Sequence, residues 1–344
     1  TSGTTGKLTL ASYTEKDVDV WGECVARGLT MAGLTAEDRL HICYGYGLFT
    51  GGLGLDFGAR KLGAMAIPMS AGNTKRQLMC MEDFGATAFA CTPSYALYLA
   101  EAANEAGIVD KLRLKVGING AEPWTEEMRL KIEELLNVNC FDIYGLCEIT
   151  GPGVALECIH HKGMHIYEDY FYPEVLNPAD HTPCADGETG ELVFTTLVKE
   201  GMPLLRYRTK DLTSIDHSTC ECGRTLPRIS KFKGRTDDMK VIRGVNVFPT
   251  QVETALLSIG GGGVAPHYMM IVDRENNLDV LTVEVEVDEK YFSDEIRKLD
   301  ELKNKVAAVL KQALGVAVRV KLVEPKTIER SEGKAKRVID NRGL

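Results

Sequence analysis

The stretch that decides the fold is residues 114–148, which read LKVGINGAEPWTEEMRLKIEELLNVNCFDIYGLCE. Its apolar residues predict a short buried strand over 114–118, a helix over 124–136 and a second strand over 140–143. A glycine-containing loop follows each of the two strands. A strand, a helix and a strand in this order indicate a parallel sheet, in which ligands bind beyond the carboxyl ends of the strands.

The same alternation fills the residues before this stretch. Apolar residues at helical spacing or in short runs predict helices over 18–29, 74–83 and 94–103, and strands over 40–43, 64–67 and 86–91. The predicted fold class is therefore α/β, a mostly parallel sheet with helices on its faces.

The residues after 234 predict a smaller α+β module. Its expected elements are helices over 249–258 and through 296–310, and strands over 267–272, 281–287 and 317–323. Valines alternate with glutamates in the second of these strands and with basic residues in the third. We therefore expect the acidic and basic outer faces of these two strands to pair.

The composition excludes several classes of protein. The 344 residues carry a formal net charge of −9, whereas nucleic acids and anionic membranes attract basic surfaces. No run approaches the roughly 20 apolar residues of a membrane span. The ten cysteines are scattered, as in reduced cytosolic proteins. These features predict a cytoplasmic protein that binds neither nucleic acid nor membrane.

The first seven residues, TSGTTGK, form a candidate phosphate-binding loop. Glycines let successive N–H groups turn toward one anion, and hydroxyls and a lysine add donors. The spacing is not that of a Walker loop, because two residues separate Gly3 from Gly6 and Leu8 follows Lys7. By itself the stretch is also compatible with a solvated Gly/Thr-rich loop. Since the chain begins on this loop, we expect that an N-terminal portion is missing or carried as a separate piece.

Several motifs, taken in order, resemble the adenylate-forming enzymes, the superfamily of acyl-CoA synthetases, luciferases and peptide-synthetase adenylation domains. These motifs are the TSGTTGK loop, the YGLCE segment at 144–148 and the GRTDDMKVIRG segment at 234–244. The glycine–aromatic segment 44–52 and the Gly-Pro-Gly at 151–153 narrow the resemblance to phenylacetate–CoA ligases. The resemblance implies a large α/β domain over 1–234, N-terminally incomplete here, and a small mobile α+β domain over 235–344.

The resemblance also implies residues that bind ATP or AMP, Mg²⁺ and coenzyme A. The implied phosphate contacts are Ser2, Gly3, Thr4, Thr5, Gly6 and Lys7, and the implied Mg²⁺ ligand and catalytic carboxylate is Glu148. The other implied nucleotide contacts are Gly120, Ala121, Glu122, Pro123, Asp142, Tyr144, Gly145, Cys147, Asp211 and Arg235. The implied coenzyme A segment includes Val245 and Asn246. Cys147 departs from the family pattern, which has Thr or Ser there, and a thiol is a weaker hydrogen-bond donor.

Two further regions gain a role from the resemblance. Tyr44, Tyr46 and Phe49 are candidates for contact with an aromatic acid, although their rings could also simply join the core. By its composition alone, the polar tail 328–337 would be a solvated terminus. The resemblance implies instead that it carries the catalytic lysine of the family, which follows a glycine and corresponds to Lys334. The family's hinge residue, whose backbone angles change as the small domain rotates, corresponds to Asp237.

A Cys-x-Cys pair provides a candidate metal site. Cys158, His165, Cys220 and Cys222 would form a Cys₃His set, which is a common structural zinc site. His160 and His161 are alternative ligands, and three unrelated reduced cysteines are an equally good interpretation of the spacing alone.

The function implied by the resemblance is an AMP-forming acid–CoA ligase for phenylacetate or a close aryl-acetic acid. The expected partners are this acid, ATP, coenzyme A and a second copy of the chain in a homodimer. Two alternatives stay open at this point: an adenylating enzyme with a different acid or acceptor, and a catalytically silent nucleotide-binding homologue.

Overall fold

The computed structural model describes residues 10–47, 50–236, 239–243, 245–259, 263–275, 278–288, 296–331 and 335–342. These residues divide into two compact units. What we call the large unit lies within 10–123 and 131–232, and what we call the small unit lies within 124–130, 233–331 and 335–342.

The helices up to residue 136 are α1 (Glu15–Met31), α2 (Gly51–Leu62), α3 (Thr74–Asp83), α4 (Pro93–Glu105) and α5 (Glu126–Leu136), with a short 3₁₀ helix at Val109–Lys111. The four helices predicted in this region are confirmed to within a few residues. Helix α2 was not predicted, because its four glycines, two of them at its start, resemble a turn more than a helix.

The strands of the large unit form a mixed sheet and a smaller antiparallel one. They are β1 (Arg39–Ile42), β2 (Met65–Ile67), β3 (Ala88–Cys91), β4 (Val116–Gly120), β5 (Asn139–Leu146), β6 (Gly151–Glu157), β7 (Met164–Ile166), β8 (Phe171–Leu176), β9 (Gly190–Thr196), β10 (Tyr207–Thr213), β11 (Ile215–Asp216) and β12 (Arg228–Ile229).

The mixed sheet has the strand order β11-β12-β7-β6-β5-β4-β3-β1-β2. Strands β1 to β5 pair in parallel, as predicted, whereas β6, β7, β11 and β12 extend the sheet with antiparallel pairs. In the smaller sheet, β9 pairs with β8 on one side and β10 on the other. The parallel half places the carboxyl ends of β1, β3, β4 and β5 along one edge, which is where ligands bind in such sheets.

Two expectations about loops were wrong in detail. Gly120 is the last residue of β4, and Tyr144, Gly145 and Leu146 belong to β5 and are not in a loop after it. The longer β5 is possible because β6 pairs with it through a register shift, where Gly145 faces Pro152 and its missing side chain lets the backbones approach.

The small unit is an α+β module. Its elements are β13 (Gly234–Arg235), β14 (Lys240–Ile242), β15 (Val245–Val247), α6 (Pro249–Leu257), β16 (Val264–Glu275), β17 (Leu278–Val287), α7 (Ile296–Leu314), β18 (Val318–Val323) and β19 (Val338–Asp340). Four of these strands form a sheet in the order β18-β17-β16-β19, and β14 pairs with β15 in a separate antiparallel hairpin.

The predicted charge pairing between β17 and β18 is confirmed at one position and wrong at another. Glu284 faces Lys321 across the parallel pair, and Lys321 Nζ lies 2.7 Å from Glu284 Oε1. Glu286, which was expected on the same outer face, is instead 1% exposed. Its charge is compensated by a residue far along the chain, which an alternation pattern within the strand does not reveal.

Within the part of the chain that the structure describes, no helix is long and apolar enough to cross a membrane.

Glycines let α1 and α2 pack closely. A Cβ atom at Gly54 would lie 2.5 Å from Trp21 Cζ2, and one at Gly58 would overlap the side chain of Val25. These glycines lower the intrinsic helix propensity of α2, but they allow Trp21 and Val25 of α1 to pack against its backbone.

We predict that Gly58→Ala destabilises the fold by about 1–3 kcal/mol, because the added methyl group overpacks the contact with Val25. The matched control is Gly22→Ala in α1, where an added Cβ atom would lie 3.4 Å from its nearest neighbour. There the usual preference of helices for alanine should leave stability unchanged or raise it by about 0.5–1 kcal/mol. Urea unfolding of both variants measures the difference, and equal free energies of unfolding would contradict the packing explanation.

Candidate active site

The hydroxyl group of Tyr44 connects the ends of two parallel strands. Tyr44 follows β1, and its Oη donates to Cys91 O at the end of β3 (2.7 Å) and accepts from Gly120 N at the end of β4 (3.0 Å). Burial raises the pKa of Tyr44 well above its usual value, so the phenol stays protonated. Tyr44 therefore braces the carboxyl edge of the sheet, and its ring also packs against the core.

The loop after β4 is held by Glu122. Its Oε1 accepts from Ser94 N at the start of α4 (2.7 Å) and also contacts Ser94 Oγ. A carboxylate at this position satisfies an N–H group of the first helical turn, which has no acceptor within the helix. The residue between Gly120 and Glu122, Ala121, has a φ of 71°, so the backbone turns sharply where β4 ends. The carboxyl edge of the parallel strands therefore carries the four residues that were predicted there, Gly120, Ala121, Glu122 and Pro123.

Tyr144 and Asp211, which are 67 residues apart, meet through a hydrogen bond. Tyr144 Oη donates to Asp211 Oδ2 at 2.7 Å, and Asp211 is 9% exposed. The Tyr144 ring lies 4.5 Å from that of Phe232, centroid to centroid, and remains half-buried. The structure therefore brings together a flat aromatic surface and a carboxylate, from two residues that were both expected to contact the nucleotide.

A buried carboxylate at the end of β6 binds the backbone of β5. Glu157 is 1% exposed and accepts from Asp142 N (3.0 Å) and from His161 Nδ1 (3.3 Å). Burial alone would raise the pKa of Glu157, but these hydrogen bonds outweigh burial and lower it. Glu157 thereby fixes the backbone at Asp142, two residues before Tyr144.

A threonine hydroxyl lies beside the unusual cysteine. Thr50 Oγ1 is 3.1 Å from Cys147 Sγ, and Tyr13 Oη donates to Cys147 O at 2.6 Å. Cys147 and the neighbouring Glu148 are both half-buried. Sequence reasoning missed Thr50, because nothing in the local pattern around residue 50 relates it to residue 147. A hydroxyl group at the start of α2 thus lies next to the thiol of residue 147.

Tyr46 combines a packed ring with an unsatisfied hydroxyl group. Its ring lies against Gly52, and a Cβ atom there would be 2.8 Å from Tyr46 Cδ2. Its Oη is buried without a hydrogen-bond partner among the described residues. Burial and the charge of Asp56 both raise the pKa of Tyr46.

Several expected site residues lie outside the described residues, and their assignment stays a prediction. They are Ser2, Gly3, Thr4, Thr5, Gly6, Lys7, Phe49, Asp237 and Lys334. Arg235, Val245 and Asn246 belong to the small unit, in β13 and β15, and Asn246 is exposed there opposite Val241.

The four expected metal ligands form one cluster in the large unit. The ligand atoms of Cys158, His165, Cys220 and Cys222 all lie within 4.8 Å of one another. Cys158 Sγ is 3.8 Å from Cys220 Sγ, and Cys222 Sγ is 3.6 Å from His165 Nε2. Tetrahedral Zn²⁺, with Zn–S of about 2.3 Å and Zn–N of about 2.0–2.1 Å, requires S···S and S···N separations of about 3.8 Å and about 3.6 Å. The cluster therefore has a Cys₃His donor set, and these two separations match those of a tetrahedral zinc site.

Two of the four residues have protonation states that suit a metal, whereas burial and the neighbouring thiols raise the pKa of Cys158 to about 11. Burial and the charges of Arg224 and Arg228 lower the pKa of His165 to about 4, so its imidazole is neutral at pH 7. Burial tends to raise the pKa of Cys222, but hydrogen bonds from Arg224 outweigh it and lower the value to about 7. Neutral imidazole and thiolate are the forms that bind metal.

The alternative ligands His160 and His161 have other partners. His161 Nδ1 contacts Glu157 and its ring stacks on Phe141, with 4.9 Å between centroids. His160 Nδ1 lies 3.4 Å from Glu221 Oε2.

Comparisons with known proteins identify the family of this chain. The AMP-binding enzyme family matches residues 1–197, and the AMP-binding enzyme C-terminal domain matches residues 244–342. The chain is 48% identical to a phenylacetate-coenzyme A ligase of Thermus thermophilus, over 99% of this chain and 80% of that protein. It is 46% identical to a phenylacetate-coenzyme A ligase of Escherichia coli, over 100% of this chain and 78% of that protein. The chain belongs to the phenylacetate–CoA ligase family of AMP-binding enzymes.

A solved structure extends this similarity to the fold. A 2-hydroxyisobutyryl-CoA ligase, crystallised in the postadenylation state with 2-HIB-AMP, has a TM-score of 0.92 and 30% sequence identity. The match covers 99% of this chain and 73% of that chain. The α/β fold and the family resemblance predicted from the sequence are thus confirmed.

We predict that Tyr44→Phe destabilises the protein by about 1–3 kcal/mol, because Gly120 N loses its buried acceptor. The matched control is Tyr172→Phe on β8, where the side chain is 56% exposed and stability should change by less than about 0.5 kcal/mol. Denaturant unfolding measures both variants. A Tyr44→Phe variant as stable as the control would show that the phenol does not brace the strand ends.

Proposed function

We propose that the protein is an AMP-forming phenylacetate–CoA ligase. The observation that carries this proposal is 46–48% identity to four phenylacetate-coenzyme A ligases over at least 99% of this chain. In the proposed reaction the carboxylate of phenylacetate attacks the α-phosphate of ATP, and pyrophosphate leaves. The thiol of coenzyme A then attacks the carbonyl carbon of the phenylacetyl-adenylate, loses its proton and expels AMP.

The large unit offers groups for binding the nucleotide. In the proposed complex the Tyr144 ring stacks on adenine, and Asp211 accepts hydrogen bonds from the ribose hydroxyls. The bond from Tyr144 Oη to Asp211 Oδ2 supports this assignment, because it orients a carboxylate whose two oxygens can each accept more than one hydrogen bond. Gly120, Ala121, Glu122, Pro123, Asp142, Gly145, Cys147 and Arg235 are proposed as further contacts.

Charge stabilisation is the proposed catalytic device, because two anions must approach each other during adenylation. Residues Ser2 to Lys7 hold the departing phosphates, and Lys334 contacts the acid and the α-phosphate. Mg²⁺, when bound, neutralises phosphate charge, and Glu148 is the proposed ligand because its half-buried carboxylate is of the hard oxygen type that Mg²⁺ prefers. Thr50, beside Cys147, is proposed to supply the hydroxyl group that the family has at residue 147.

Other proposed assignments complete the cycle. Tyr44, Tyr46 and Phe49 line the acid pocket, with the Tyr46 hydroxyl directed to a substrate oxygen. Val245 and Asn246 contact coenzyme A, and Asp237 is the hinge residue. Lys334 is proposed to serve adenylation alone, because a rotation of the small domain about Asp237 would withdraw it before the thioester step.

Pyrophosphate release and thioester formation test the proposed function together. We expect phenylacetate-dependent pyrophosphate release without coenzyme A and phenylacetyl-CoA when it is added. Lys334→Ala should lose adenylation by about 10²-fold or more but keep most thioester formation from supplied phenylacetyl-adenylate and coenzyme A. Lys336→Ala, two residues further along the same tail, is the control.

Each alternative gives a different result. Pyrophosphate release without any thioester product would indicate an adenylating enzyme with another acceptor. Pyrophosphate release with a different acid, and not with phenylacetate, would indicate that this acid is the substrate. Neither product would indicate a silent nucleotide-binding homologue. Equal loss of both half-reactions in Lys334→Ala would contradict the role given to this lysine.

We also propose that Cys158, His165, Cys220 and Cys222 hold one structural Zn²⁺. The Cys158–Cys220 S···S and Cys222–His165 S···N separations fit tetrahedral zinc. The four residues come from the β6–β7 region and from the loop between β11 and β12. Such a metal would stabilise the large unit by fixing these two hairpins.

For the zinc site we predict about one zinc per chain by elemental analysis, and a loss of thermal stability on chelation. Cys220→Ser should abolish zinc binding, whereas Cys184→Ser, outside the cluster, should keep it. Zinc content that is the same in both variants would refute this assignment.

A further inference from the structure

The chain segment that carries Lys334 is fixed at its N-terminal side by a buried ion pair. Arg330 Nη1 lies 2.7 Å from Glu286 Oε1, and Arg330 Nη2 lies 2.8 Å from Glu286 Oε2. Glu286 is in β17 and its side chain is 1% exposed, while the Arg330 side chain is 16% exposed. This two-bond geometry defines both the distance and the orientation of the guanidinium group.

The same pair also binds the backbone beside it. Glu286 Oε1 accepts from Ile328 N at 2.7 Å, and Arg330 Nη1 donates to Ile328 O at 2.9 Å. Ile328 and Arg330 are therefore hydrogen-bonded both to each other and to the carboxylate of Glu286. Together these bonds fix the direction of the chain four residues before Lys334.

A second contact fixes the chain on the other side of Lys334. Arg337 O accepts from Met270 N at 2.9 Å, and the Arg337 guanidinium lies 4.7 Å from the centre of the Tyr268 ring. Tyr268 faces Val285 across β16 and β17, so this contact is next to Glu286 on the neighbouring strand. Both contacts belong to the small unit, and Lys334 lies between them in the sequence.

A buried ion pair is a poor source of stability compared with apolar residues of the same size. Its advantage is geometric, because a bidentate pair permits one arrangement of its partners, whereas apolar contacts permit several. A reacting group also needs accurate placement, and an error of 1 Å can cost about 10²-fold in rate. These considerations favour a positional role for Glu286 and Arg330.

We propose that Glu286 and Arg330 are positioning residues for adenylation, which act by fixing the segment that presents Lys334. This inference rests on the proposed function, since it assumes that Lys334 acts in the first half-reaction. Neither Glu286 nor Arg330 needs to touch the substrate. Breaking the pair should therefore slow adenylation without changing the thioester step.

The test compares the two half-reactions in Arg330→Met and Glu286→Gln. We expect adenylation, followed by pyrophosphate release, to fall about 10- to 100-fold in both variants through a lower kcat. Thioester formation from supplied phenylacetyl-adenylate and coenzyme A should stay within about threefold of the unchanged protein. Arg330→Lys keeps the positive charge but loses the bidentate geometry of the guanidinium group, so its adenylation rate should lie between those of Arg330→Met and the unchanged protein.

The matched control is Arg319→Met, which removes an exposed bidentate pair with Glu275 in the same sheet. This variant should leave both half-reactions unchanged. Circular dichroism and thermal unfolding show whether each variant is folded; if Arg330→Met does not fold, Glu286→Gln and Arg330→Lys decide the outcome.

Different results identify which idea fails. Equal loss of both half-reactions, or unchanged adenylation in folded variants, would overturn the positioning role while leaving the ligase assignment intact. An unaltered protein that releases no pyrophosphate with phenylacetate or any other acid would overturn the proposed function, and the positioning role with it.

Discussion

The candidate site depends on how the Tyr44 hydroxyl joins two strand ends. Parallel strands pair through their backbones, but their carboxyl ends have no further partner where the chain leaves the sheet. Tyr44 provides one by bonding to Cys91 O and Gly120 N, so that the ends of β3 and β4 are fixed relative to the residue that follows β1. A phenol can do this because it donates and accepts at the same time. The loop that begins at Gly120 consequently starts from a defined point.

Other side chains of the large unit also fix the candidate site by hydrogen bonds between separate parts of the chain. Glu122 caps α4, Glu157 binds the backbone of Asp142, and Tyr144 orients Asp211. In each case a carboxylate bonds to a group from a distant part of the chain, and most of these carboxylates are buried or nearly so. Buried carboxylates are costly unless they are fully hydrogen-bonded, so these contacts also make the arrangement specific.

The overall net charge of −9 is compatible with binding anions such as ATP and coenzyme A. What matters for an anionic ligand is the charge within about a Debye length, which is near 8 Å at physiological ionic strength. Many acidic groups are neutralised locally, as Glu286 is by Arg330 and Glu284 by Lys321. The acidic composition is therefore compatible with a bound nucleotide.

Local signals determined much of the fold. Helices α1, α3, α4 and α5 and the parallel strands were predictable because apolar spacing repeats over neighbouring residues, and the motifs at 1–7 and 144–148 indicated the family. The Cys₃His set was also named from the sequence, but its spacing alone was equally compatible with three unrelated cysteines, and only the fold brings the four side chains together.

Tertiary contacts decided the rest. Helix α2 forms despite its glycines because α1 packs against it, and Glu286 is buried because Arg330, 44 residues later, pairs with it. The contact between Thr50 and Cys147 and the bond between Tyr144 and Asp211 join residues 97 and 67 positions apart. A local pattern records which residues are apolar or charged, but the identity of a distant partner is set only when the chain folds and brings the two side chains together.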